Sequence, residues 1–85
     1  MIIDYDSEVD AIYFKLTKNK IDSTEPKTDR IIIDYDQDNK IVGIEVLDFS
    51  YLLQKGLTVD DLPFPDTEKA IASPYFNTMK QASYL

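Results

Sequence analysis

The sequence predicts an α+β fold: a four-stranded antiparallel sheet built from two similar β-hairpins, followed by short C-terminal helices that cover one of its faces. Three observations lead there. The pentapeptide Ile-Ile-Asp-Tyr-Asp occurs twice, at residues 2–6 and 32–36. Each copy is followed, after a polar break, by a second apolar run of period two, which is the pattern of a hairpin. Beyond residue 47 the apolar spacing becomes helical, with cap residues and a glycine where helices start and stop.

The first hairpin occupies residues 1–16. Met1, Ile3 and Tyr5 alternate with Ile2 and Asp4, and after a polar turn Ile12, Phe14 and Leu16 alternate with Ala11, Tyr13 and Lys15. Residues 17–29 are polar and aperiodic, which predicts a long loop. The second hairpin spans residues 30–47, with a turn over residues 36–40 in which Asn39 can adopt a left-handed conformation cheaply. Ile31, Ile33, Tyr35, Val42, Ile44 and Val46 form its apolar face and join Ile3, Tyr5, Ile12, Phe14 and Leu16 in one core layer. In residues 48–85, Asp48 or Ser50 can cap a helix carrying Phe49, Leu52 and Leu53 that stops at Gly56. Residues 57–65 read as an extended connection. Asp66 can cap a turn through Ala70 and Ile71, and Ser73-Pro74 reads as the start of a further helix with Tyr75, Phe76 and Met79 on one side.

Composition excludes more than it identifies. A chain of 85 residues supports a single domain with a thin core, so a deep substrate cleft is not expected. Without cysteine or histidine there are no disulfides, thiolate metal sites, Ser-His or Cys-His pairs, or imidazole bases. An enzyme is therefore not expected, and no cofactor is implied. The formal charge of -7 argues against docking on nucleic acid phosphates or anionic lipid, and no apolar run reaches the roughly 20 residues of a membrane span. A cytoplasmic location is expected, and the natural partner of such a surface is basic.

Acidic residues supply the candidate sites. Asp34, Asp36, Asp38 and Glu45 approach the spacing of a calcium-binding EF-hand loop, but the run before them has strand rather than helix character and asparagine replaces the bend glycine. In a simple meander the turns after strands one and three lie at the same end, so Asp6, Glu8, Asp10, Asp36 and Asp38 would crowd one rim. There they could meet a basic protein or a divalent cation. On the second sheet face, Asp4, Asp34 and Glu45 accompany Lys15, Arg30, Ile2, Tyr13, Ile32, Ile41 and Leu47, a mixture apolar enough to suggest an interface. Tyr75, Phe76 and Tyr84 have two readings, packing on the sheet or contact with a partner.

The strings Tyr5-Asp6, Asp10-Ala11-Ile12-Tyr13, Ile33-Asp34-Tyr35-Asp36 and Gly43-Ile44-Glu45-Val46-Leu47-Asp48, with Ser50, resemble a family of small bacterial and archaeal proteins, domain of unknown function 2283. The resemblance spans Met1 to about Ser50. It implies a small β-rich domain without established activity or transferable catalytic residues. Some members lie beside candidate ribonuclease toxins, which implies an antitoxin role.

Together these readings give an acidic protein-binding module, antitoxin-like, that neutralises a basic partner through Asp6, Glu8, Asp10, Asp36, Asp38, Tyr13, Tyr75 and Phe76. One alternative is a phage or mobile-element inhibitor imitating nucleic acid charge. Another is a divalent-metal-binding protein using Asp34, Asp36, Asp38 and Glu45. A homodimer through open sheet edges, formed by strand two or strand four, is a further expectation.

Overall fold

Each Ile-Ile-Asp-Tyr-Asp copy builds the first strand of a hairpin, because its β-branched and aromatic side chains fit a pleated surface and its aspartates end the run in a turn. The structure is a computed structural model that describes the backbone of residues 1–82 and the side chains of residues 1–77; Met79 and Tyr84 fall outside the described side chains. It divides into two compact units, Met1–Asp48 and the residues from Phe49 onward.

The first unit is a sheet of β1 (Ile2–Asp6), β2 (Ala11–Lys15), β3 (Ser23–Pro26), β4 (Ile31–Tyr35) and β5 (Ile41–Val46). All neighbours are antiparallel, in the order β1-β2-β5-β4-β3. Ile12, Phe14, Ile33, Val42, Ile44 and Val46 are buried on one face, as the period-two pattern requires. Between Asp34 and Tyr35 the register shifts by one residue, so that Asp34 faces Gly43 and Tyr35 faces Ile41.

Two expectations are corrected. The stretch 17–29 is not all loop: Ser23–Pro26 pairs with β4, making five strands rather than four. Its side chains are all exposed, so it carries no apolar signal, and a proline is tolerated there because the strand is at an edge. The second correction concerns order. The hairpins join through their second strands, β2 against β5, and not as a meander. With every neighbour antiparallel, the β1–β2 turn and the β4–β5 turn then lie at opposite ends of the sheet. Residues 16–22 cross the end that holds the β4–β5 turn. Leu16 N–H donates to the Val42 carbonyl at 2.8 Å, and Asp22 N–H to the Tyr35 carbonyl at 2.8 Å.

The second unit contains α1 (Phe49–Gln54), a 3₁₀ turn (Val59–Asp61) and α2 (Asp66–Ala82). After α1, Gly56 takes a φ of 105° and Leu57 N–H donates to the Leu52 carbonyl at 2.9 Å, a Schellman stop that suits glycine. The predicted extended connection instead holds the 3₁₀ turn, closed by the Asp61 carboxylate, which accepts from the Thr58 N–H at 2.8 Å. The expected break at Ser73-Pro74 is also absent. Pro74 lies inside one continuous helix, on its exposed side, and has no N–H to give the Ala70 carbonyl. Among the described residues no helix is long and apolar enough to cross a membrane.

Candidate functional site

Side chains opposite the buried face form rows across the sheet, since registered partners share a face. One row is Asp4, Tyr13, Glu45 and Ile32, and the next is Ile2, Lys15, Gly43, Asp34 and Thr24. The rows are bridged diagonally. The Tyr13 hydroxyl donates to Asp34 Oδ2 at 2.7 Å, reaching from β2 across β5 to β4. It can do so only because residue 43 is glycine, as a Cβ there would fall inside the Tyr13 ring edge and hydroxyl. Asp34 Oδ1 accepts from the Thr24 hydroxyl at 2.6 Å, tying in β3. One carboxylate on β4 thus links three strands, β2, β3 and β4, across β5.

Burial pushes the Tyr13 phenol well above its ordinary value, helped by the hydrogen bond to Asp34 and the negative charges of Asp34 and Glu45. The hydroxyl is a fixed donor, and both Asp34 oxygens are in use. Around this pair Asp4 and Lys15 are exposed, while Glu45 and Ile32 are half-buried. The result is a solvent-facing, predominantly acidic surface with an aromatic ring at its centre.

The turn carboxylates are distributed differently from the expected single rim. Asp6, Glu8 and Asp10 are at one end of the sheet and Asp36 and Asp38 at the other, because β2 pairs with β5. Most of them serve their own turns. Asp6 Oδ1 accepts from the Glu8 N–H at 3.0 Å. Asp10, at a φ of 54°, accepts from the Tyr5 hydroxyl at 2.7 Å, and that bond, with burial and the Asp10 and Asp6 charges, pushes Tyr5 up to about 12. Asp36 is the buried member. Its Oδ1 accepts from the N–H groups of Asp38 at 2.8 Å and Lys40 at 3.0 Å, and its Oδ2 from the Asn19 amide at 3.0 Å. These bonds, the one from Lys40 foremost, hold its carboxyl below the usual carboxylate range. Residues 19–22 and 36–38 line an open cleft of about 500 Å³ at this end.

The calcium-loop spacing does not become a convergent site. Ile31–Tyr35 is a strand, Asp34 and Glu45 are on the open face, and Asp36 turns into its own loop. Among the described residues no group of three or more carboxylates is placed to hold a metal ion. Of the two C-terminal aromatics proposed for a partner, Tyr75 is exposed. Phe76 is not: its ring packs edge-on against Phe49 at 5.2 Å and Phe64 at 6.3 Å inside the second unit. Sequence reasoning missed Gly43 and Thr24. Gly43 did carry a signal, since a glycine inside a strand marks a close approach; Thr24, in a polar stretch, carried none.

No curated protein and no solved structure matches the chain. A family model described as Protein of unknown function (DUF2283) matches residues 2–50, more than half of the chain, and that span takes in all five strands and every residue of the open face. The chain belongs to this family.

Proposed function

We propose that the chain is a small acidic protein-binding module, antitoxin-like, that masks a basic partner such as a ribonuclease toxin. The observation that supports this best is the open sheet face, where Asp4, Glu45 and Asp34 surround a half-buried Tyr13 in a chain of formal charge -7. Complementary charge accelerates encounter and sets specificity, while a rigid aromatic ring provides desolvated contact at small entropic cost. Tyr13 is already held by Asp34, so little ordering remains to oppose binding.

Chemistry on the same residues favours binding over catalysis. A tyrosine whose ionisation is pushed upward is a poor base or nucleophile near neutrality. The test is association kinetics with a basic protein encoded beside this one. Charge reversal by Asp4→Lys with Glu45→Lys should slow association by about tenfold or more at low salt and flatten its salt dependence. An unchanged rate would contradict the proposal.

A further inference from the structure

The two edges of the sheet are not equivalent. Which backbone groups each edge presents follows from the bonds inside the sheet. Leu16 N–H donates to the Val42 carbonyl, so even-numbered residues of β2 point to β5 and Ala11, Tyr13 and Lys15 point to β1. Their partners Asp6, Asp4 and Ile2 point back to β2. Ile3 and Tyr5 therefore turn their N–H and C=O groups away from the sheet. At the other edge Lys27 N–H donates to the Ile31 carbonyl, so Glu25 also points to β4, and Thr24 and Pro26 point outward. Pro26 has no N–H to offer. β3 thus presents a single outward donor, at Thr24, and is closed to strand addition in the way natural edges are.

Among the described residues the β1 edge has no such block. It contains no proline, Ile2 is 58% exposed, and Asp4 and Asp6 alternate along its open side. From this we infer that β1 is the docking edge, taking an extended segment of a basic partner as an added antiparallel strand, with alternate cationic side chains set against Asp4 and Asp6. The inference rests on the proposed binding of a basic partner and specifies its mode. Charge selects the occupant. A second copy paired through β1 in the register of greatest overlap would set Asp4 against Asp4, and the next register toward the turn would set Asp4 against Asp6 twice. Like charges directly opposed are destabilising. Lysine or arginine at alternate positions removes that conflict, and the residues between them meet Ile3 and Tyr5. The same carboxylates guard the edge against self-pairing and admit a cationic strand.

The experiment uses the full chain and a synthetic peptide alternating lysine with valine. Three controls accompany it: the same peptide N-methylated on alternate residues, a peptide alternating glutamate with valine, and the Asp4→Lys variant. The lysine peptide should bind and shift the backbone amide resonances of Ile3 and Tyr5 above all others. N-methylation should weaken binding by about tenfold, Asp4→Lys by roughly three- to tenfold, and the glutamate peptide should not bind. If the N-methylated peptide binds as well as its parent, or the shifts gather at Thr24 or the β4–β5 turn, the edge inference is overturned while recognition of a basic partner stands. If no lysine peptide binds but a basic protein does, with steep salt dependence, the edge inference fails alone. Loss of both removes the inference together with the reading beneath it.

Discussion

The hydroxyl of Tyr13 reaches over Gly43 to donate to Asp34, joining the first hairpin to the second across the central strand β5. The strands built by the duplicated pentapeptides, β1 and β4, are not neighbours in the sheet. What joins their hairpins on the open face is this diagonal bond, and it needs a strand residue without a side chain.

Gly43→Ala should therefore displace the Tyr13 ring, break the bond to Asp34 and destabilise the protein by about 1–3 kcal/mol, the usual cost of overpacking. The penalty should largely vanish in a Tyr13→Ala background. Denaturant unfolding of both single variants and the double variant measures the coupling, and strict additivity would show that the ring does not depend on the glycine.

Tyrosine ionisation should be split. Tyr5 is pushed up to about 12 by Asp10, so it should titrate well after exposed tyrosines near 10. A phenol whose folded value is raised contributes stability that is whole below pH 10 and lost as pH rises through the folded value. Asp10→Asn keeps the left-handed position acceptable and removes the charge. Ultraviolet titration of that variant should show one late-ionising tyrosine moving toward 10.

Acid should act through Asp36. Its carboxyl is lowered by bonds from Lys40, Asn19 and Asp38, so its contribution is present above the unfolded value of about 3.9 and is lost as pH falls through the lower folded value. Asn19→Ala removes one of those bonds and loosens the loop that crosses this end. The stability difference between wild type and Asn19→Ala should be largest near neutral pH and shrink toward pH 2, as followed by denaturant midpoints. A difference independent of pH would show that the Asn19 bond does not depend on the carboxylate charge.

Pro26 should act as a guard on β3. Pro26→Val restores an outward N–H to that edge and adds a β-branched side chain, so it should promote self-association. Sedimentation at two concentrations should show a larger species for the variant only. Monomeric behaviour at both concentrations would mean that the exposed, polar side chains of β3 suffice without the proline.

Much of the first unit was legible because alternation in a half-buried strand is enforced residue by residue: β1, β2, β4 and β5 fall within two residues of the runs that predicted them. The order of the hairpins was not legible. Ile12, Phe14, Ile33, Val42, Ile44 and Val46 share one face whether β2 neighbours β4 or β5, so hydrophobic pattern does not distinguish the two arrangements. That ambiguity led to the expected single acidic rim, and also to the expectation of β2 or β5 as an edge, whereas both are interior strands. β3 was hidden because Ser-Thr-Glu-Pro buries nothing and is held by backbone pairing and the Thr24 bond to Asp34. In the second unit, Pro74 read as a helix start because proline favours that position, although on the exposed side of a long helix it is also accommodated.

Recognition of a basic partner through an acidic sheet face is tested most directly by the association rate of the full chain with a basic protein encoded beside it. The salt series should take the Debye length from about 30 Å to about 3 Å. Steered docking predicts a rate that falls steeply across that series, and a fall much reduced in the Asp4→Lys, Glu45→Lys variant. A rate that stays flat with salt, or that the charge reversal leaves unchanged, would contradict it.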